Sequence, residues 1–473
     1  MLALPAILSV FGQGSTGPGD GRIMIGAATH LPNDQEQIEF IRRIYDEILV
    51  NAESYTWLDH LANKIGGRLS GSPQAAAAVE WSRQVMDTLG LDSVWLQPVM
   101  VPHWTRGERE YARLISPEVF GETELTICAL GGSVATPEEG LTAQVVEVRD
   151  YAELQKLGAA KVKGRIVFYN NPFNPLHVNA FQAYSEGVKY RSTGAIEAAK
   201  LGAAGVLIRS LTHVIDDNPH TGAMRYSDEP QIRKIPAAAV STKGAEILSQ
   251  WLRKDPGLRF HFRMHCRWFP DKLSYNVIGE IRGSEFPDEI ITVGGHLDSW
   301  DNGDGAHDDG AGCVQSMEVL RTFRALGHKP RRTVRAVLFM NEENGLRGGR
   351  EYARIAKLSG HKYLAAIESD AGGFSPRGFS VDGDPEALAT LQGWATLLEP
   401  YDLHKMDPGY GGADIGPLRE LGTACIGLRP DAQRYFDYHH APSDKFEAVN
   451  KRELVLGAAA MAALTYLISE NGL

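Results

Sequence analysis

From Leu273 onward, apolar runs of strand length at 290–293, 334–340, 364–367 and 424–428 alternate with stretches of helical spacing such as 311–326 and 346–358. A run that is apolar at every position is buried on both faces, and strands separated by helices pair most readily in parallel. The pattern predicts an α/β fold whose mostly parallel central sheet is covered by helices on both faces. In open sheets of this kind ligands bind beyond the carboxyl ends of the strands. Those ends are where chemistry is expected.

At 473 residues the chain exceeds one ordinary core, so a second module is expected. The chain opens with helices: Ile38, Ile41, Ile44, Tyr45, Ile48 and Leu49 keep helical spacing, and Ser72 with Pro73 reads as a helix N-cap and first turn. After 98–108 the character changes. Strands are expected at 145–148, 165–169 and 206–208, with a helix at 194–205, which together suggest a smaller, β-rich module. Its last strand, 258–268, alternates Leu258, Phe260, Phe262, Met264, Cys266 and Trp268 with Arg259, His261, Arg263, His265 and Arg267. The first set is expected in the core and the second in solvent, which removes His261 and His265 from the candidate ligands.

The hydrophobic and charged fractions, 43% and 23%, are those of a globular protein, and a net charge of -11 leaves no basic footprint for nucleic acid. Cys128, Cys266, Cys313 and Cys425 form no CxxC pair and read as buried thiols. The apolar stretch 2–11, followed by "GQGSTGPGD", is like the end of a secretory signal, yet no Lys or Arg precedes Arg22. Residues 1–22 are therefore read as a signal-peptide remnant or a disordered N-terminus. The expected location is secreted or periplasmic, with the cytoplasm left open. No other stretch is read as long and apolar enough to span a bilayer.

The strand ends converge on one set of groups. "GGHLDSWDNGDGAHDDGAG" begins at Gly294 and carries His296, Asp298 and Asp308; Glu342 and Glu343 follow the next strand; Asp370 follows "KYLAAIES"; and "YFDYHHAPSD" follows "ACIGL". Each offers oxygen or imidazole nitrogen, and none offers thiolate. Two His, two Asp and one Glu are too many for one tetrahedral zinc, whereas a carboxylate bridging two ions accounts for all five. A second Glu is then left beside the metals as a base, and Asp298 stands where a carboxylate can orient His296. Taken singly, a Glu pair is usually a solvated helix start and an Asp-Gly run an ordinary turn. The conjunction is what carries the reading.

These residues resemble a family of dinuclear zinc exopeptidases that includes bacterial leucyl aminopeptidases, glutamate carboxypeptidase II and the transferrin receptor, most nearly its carboxypeptidase Q (plasma glutamate carboxypeptidase) group. The likeness runs from about Gln35 to the end and includes "GGRLSGS" at Gly66, "PHWTRGE" at Pro102, "IRS" at Ile208, "PHTG" at Pro219, "ESDAGG" at Glu368 and the doubled His439-His440. The resemblance implies that His296, Asp308 and Asp370 hold one zinc while Asp308, Glu343 and His440 hold the other, with cobalt or manganese as substitutes. It also implies a cis bond between Asp308 and Asp309. Glu342 is then the general base, His439 stands where relatives place an oxyanion donor, and His307 is a neighbour of the metals. The resemblance further implies a discontinuous catalytic domain (23–115 and 271–473), a protease-associated domain inserted at 116–270, and a homodimer. The implied substrates are short, unblocked peptides. Two alternatives stay open: a glutaminyl cyclase-like acyltransferase, and an inactive receptor-like binding protein of the same fold.

Overall fold

The computed structural model describes residues 32–116 and 120–473. The reading of 1–22 as a signal remnant lies outside the described residues. Two eight-stranded sheets organise the rest. The first has the spatial order Ser93–Thr105, Arg267–Ile281, Arg332–Phe339, Phe286–His296, Lys362–Glu368, Ala424–Pro430, Pro376–Asp382 and Met406–Pro408. The four strands at its centre, from Arg332–Phe339 to Ala424–Pro430, run parallel. The strands flanking these four are antiparallel to them. Ile290, Ile291, Thr292 and Val293 are buried to within 1% because helices cover both faces.

One face packs against the helices Pro32–Asn51, Ser54–Asp59, Pro73–Thr88, Ala311–Ala325 and Lys451–Asn471, in the largest core of the molecule. The opposite face receives Tyr352, Ala353 and Ala356 of the helix Arg347–Ser359, together with Ile415 and Leu418. The Pro73 helix begins as its sequence requires: Ser72 caps it, the Oγ accepting from the Ala75 amide.

Lys451–Asn471 corrects the sequence reading in one respect. It is long and apolar enough to cross a membrane by length and composition. Every residue from 454 to 469 except Leu456 is nevertheless buried against the sheet and its neighbouring helices, so its apolar character belongs to the core.

The second sheet runs Gly121–Glu124, Tyr111–Ser116, Arg259–Arg263, Leu141–Val148, Ile166–Tyr169, Gly205–Arg209, Ala237–Val240 and Ile127–Ala129. The helix Thr242–Lys254 covers one face, while Tyr151–Val162 and Ala180–Lys200 cover the other. The long strand expected at 258–268 is in fact two. Arg259–Arg263 belongs to the second sheet, the chain crosses at 264–266, and Arg267–Ile281 enters the first sheet. Alternation persists through the crossing at Met264 and Cys266, but the core ends there, and Trp268 is 53% exposed. The helix expected at 194–205 starts earlier, at Ala180, and stops at Lys200, where Leu201 and Gly202 turn the chain into the next strand. All four cysteines are buried free thiols.

Candidate metal centre

Four strand ends of the first sheet, with the loop that follows each, meet at one buried place. His296 is the last residue of Phe286–His296, and its Nδ1 lies 2.9 Å from the carbonyl of Asp298. A carbonyl only accepts, so the proton sits on Nδ1 and the Nε2 lone pair faces inward. There it meets Asp308 Oδ1 at 3.1 Å and Asp370 Oδ1 at 3.5 Å. His440 comes in from the far side: its Nδ1 lies 3.2 Å from the Arg191 guanidinium and 3.3 Å from the Thr221 carbonyl, and its Nε2 is 3.3 Å from Asp308 Oδ2 and 3.1 Å from Glu343 Oε2. Asp308 thus presents one oxygen to each imidazole.

Acceptor facing acceptor in a buried cluster is repulsive unless a cation lies between. Asp308 Oδ2 and Glu343 Oε1 have no hydrogen-bond partner. Burial lowers the tendency of His296 to charge, but Asp308 and Asp370 outweigh it and hold the ring well above its usual pKa, so a proton can serve as cation at that end. At the other end burial and the stacked His439 ring drive His440 well below the usual histidine range, so that ring brings no positive charge. Burial and Asp308 raise Glu343 well above a normal carboxylate. Nitrogen and hard-oxygen donors gathered in threes within 4.8 Å of one another, two of them with orphaned oxygens, are of the types that fit zinc.

The neighbours of these groups are fixed by backbone contacts. The Asp308-Asp309 peptide is cis. Asp309 also brings a carboxylate oxygen within 4.8 Å of ligand atoms of His296 and Asp370, but both its oxygens already accept from amides, Oδ2 from His296 at 3.0 Å and Oδ1 from Gly312 at 2.9 Å. The chain is close-packed here, since a Cβ on Gly312 would lie 1.9 Å from the Ser369 carbonyl. Asp444 accepts from the amides of His307 and Asp308 at 2.7 and 3.1 Å and so anchors the backbone of the shared aspartate. His307 stacks between Phe374 and Tyr438, and burial depresses it to about 4. His439 stands 3.9 Å from Asp308 Oδ2. His440 adopts φ 61, a left-handed conformation uncommon for a non-glycine residue and characteristic of constrained sites.

Asp298 differs from the sequence expectation in how it acts. Its carbonyl orients His296, while its carboxylate Oδ1 accepts from the amides of Asn341 and Glu342 at 2.6 and 3.1 Å. At the end of a strand the chain reverses, and the side chain points across to the neighbouring strand end. Asp298 therefore positions the segment that carries Glu342. Burial among Asp370, Asp298 and Asp308 pushes the Glu342 carboxyl up to about 8.

Two arginines inside quoted motifs had no role assigned from sequence. Arg68 is fully buried and donates to the carbonyls of Leu297, Asp304 and Gly305 at 2.6, 2.9 and 2.9 Å, bracing the loop between His296 and Asp308. Arg106 grips the same loop through Asp301 at 2.6 Å and reaches the Ala129 carbonyl of the second sheet. Their partners lie far away in sequence and are mostly backbone, which leaves no motif to read. Arg68→Met strands three buried carbonyls. It is expected to cost about 3 kcal/mol in urea unfolding of the metal-free chain and to weaken zinc about 10- to 100-fold in competitive titration.

A buried nest of carboxylates and imidazoles, held at the C-terminal edge of a mixed sheet and matched to zinc, defines the chain as a metal-dependent hydrolase of α/β architecture. The model of Peptidase family M28 matches residues 276–465. Human carboxypeptidase Q is 36% identical over 417 residues, which is 88% of this chain and 85% of that protein. The crystal structure of a peptidase M28 precursor from Shewanella amazonensis superimposes with a TM-score of 0.87 at 34% identity, over 92% of this chain and 97% of that one. The zinc aminopeptidase of Bacillus subtilis shares the fold, with a TM-score of 0.61 at 21% identity over 88% of this chain and 94% of that one. The chain belongs to peptidase family M28 and is a metallopeptidase of the exopeptidase class.

Proposed function

We propose that the chain binds two zinc ions and hydrolyses short peptides at their ends. His296, Asp308 and Asp370 would hold one ion, and Asp308, Glu343 and His440 the other. Cobalt and manganese are chemically acceptable substitutes. The observation that carries this reading is the placement of Asp308, one oxygen toward each imidazole. Bound zinc supplies Lewis acidity, polarising the scissile carbonyl and acidifying water.

The remaining steps belong to the protein. Glu342, aimed by the Asp298 carboxylate through the 341–342 amides, takes a proton from the attacking water and returns it to the leaving amine. His439, beside Asp308, donates toward the carbonyl oxygen as negative charge develops on it. The Asp298 carbonyl fixes the tautomer of His296, so that its Nε2 is kept as a ligand, while Arg191 and the Thr221 carbonyl hold the His440 ring in place through its Nδ1.

Residues 116–270 are read as a protease-associated domain between the two parts of the catalytic domain, 23–115 and 271–473. Its Thr221 and Arg191 contact His440, and its Phe173, Ala180 and Ala183 pack on Phe374, Tyr435 and Phe436, so it walls the site. We also propose a homodimer, located outside the cytoplasm. The two alternatives carry different signatures: a cyclase converts an N-terminal Gln peptide to a product lighter by ammonia, and a receptor-like protein turns over nothing. With unblocked dipeptides the purified protein is expected to release free amino acids, with activity lost to a chelator and restored by zinc. Mass analysis of the products checks this, and chelator-resistant hydrolysis would refute it.

A further inference from the structure

Beyond Asp370 the site opens into a cavity of about 830 Å³, the size of pockets that take small ligands. Its walls are the carboxyl ends of Lys362–Glu368 and Ala424–Pro430, the loop 407–412, and the first turn of Ala180–Lys200. The charged residues lining it are Glu368, Asp370, Asp407 and Arg429.

The acids are accounted for. Glu368 is buried and accepts from the amides of Ala413 and Ile415 at 2.8 and 3.0 Å. Asp370 faces His296, and Asp407 lies exposed at the rim. Arg429 has no direct charged partner among the described residues, and Asp370 and Glu368 act on it only through space. It stands between buried Leu428 and Pro430, is itself half-buried, and burial pulls its guanidinium below its usual pKa. Its one hydrogen bond among the described residues runs from Nη2 to the Tyr410 carbonyl, and no carboxylate among them lies within ion-pair distance. Arg209 and Arg335 hold a carboxylate and Arg68 fills its donors with carbonyls, while Arg191 donates to the Tyr184 hydroxyl and the Thr221 carbonyl beside His440.

We propose that Arg429 is a specificity-determining residue that receives a carboxylate of the peptide substrate. The proposal rests on the peptidase reading above. A planar guanidinium held at one end by the Tyr410 carbonyl keeps further donors for a two-point contact, which a carboxylate matches in geometry and charge. The desolvation that Arg429 bears in the free enzyme is offset when that anion arrives. Asp370 lines the same cavity, so the anchored carboxylate belongs to a residue at or next to the scissile bond. It is either the α-carboxylate of a very short peptide or the side chain of an acidic residue.

Two matched pairs of substrates separate these sources. Ala-Ala against its C-terminal amide tests the α-carboxylate, and Glu-Ala amide against Gln-Ala amide tests the side chain. In the wild type one acid member is expected to exceed its neutral partner about 10- to 100-fold in kcat/KM, chiefly through KM. That ratio falls to about one in Arg429→Met and is partly kept in Arg429→Lys. Equal use of both pairs by the wild type, or an unchanged ratio in Arg429→Met, overturns the assignment. Equal use of both pairs still leaves a working peptidase, whereas failure to cleave any peptide sinks the peptidase reading itself.

Discussion

Glu342→Gln is expected to retain its full zinc content and to lose about 10²- to 10⁴-fold in kcat on a dipeptide, with KM little changed. The two acidic residues just after the strand Arg332–Phe339 differ in what surrounds them. Glu343 Oε2 faces His440 at 3.1 Å and its Oε1 is orphaned, so its environment is that of a ligand. Among the described residues the Glu342 side chain makes no hydrogen bond or ion pair, and its backbone is held by the Asp298 carboxylate and the Gly345 amide. Burial raises its carboxyl to about 8 in the metal-free chain. Two divalent ions nearby would oppose that rise and favour the carboxylate needed to accept a proton. The glutamine is nearly isosteric and keeps the amide contact, but it cannot accept the proton. Steady-state kinetics paired with elemental analysis separates the two effects. A variant as active as the wild type would remove Glu342 from the mechanism.

Asp308→Ala is expected to abolish turnover and to lose metal from both positions, because one residue faces both imidazoles. Its thermal behaviour supplies a second signature. In the metal-free chain Asp308 is the buried partner of the charged His296 ring, and against the effect of burial that contact holds its carboxyl below the usual range, so apo stability at neutral pH should fall. Wild-type protein gains stability from zinc in proportion to RT ln(1 + [L]/Kd), about 4 kcal/mol at a thousandfold excess over Kd. Asp308→Ala should gain almost none. Calorimetry of both proteins with and without zinc checks this. A variant still stabilised by zinc as strongly as the wild type would show that Asp308 is not shared.

Much of the catalytic sheet was legible because its central strands are short, largely apolar runs, as at Ile290, Ile291 and Val293, and because Ser72 with Pro73 marks a helix start. The strand-end rule then placed His296, Glu342, Glu343, Asp370 and His440 in one neighbourhood, where their side chains are found. Finer distinctions were not written in periodicity. Asp308 and Asp309 are adjacent and chemically identical, and only the contacts of Asp309 with the His296 and Gly312 amides tell them apart. The strand expected to run through Trp268 obeyed alternation past the point where the core stopped, since alternation registers a pleat and not which sheet it joins. Arg68 and Arg106 act on carbonyls and on a loop some two hundred residues away, so sequence shows the motif without the partner.

The central claim, a shared carboxylate holding two ions, is tested most directly by titrating zinc into the chelator-stripped protein. Bound metal and peptidase activity are measured at each addition. The account predicts two equivalents of tightly bound zinc per chain, with full activity only when both are present. Full activity at a single equivalent, with no second tight site, would contradict it.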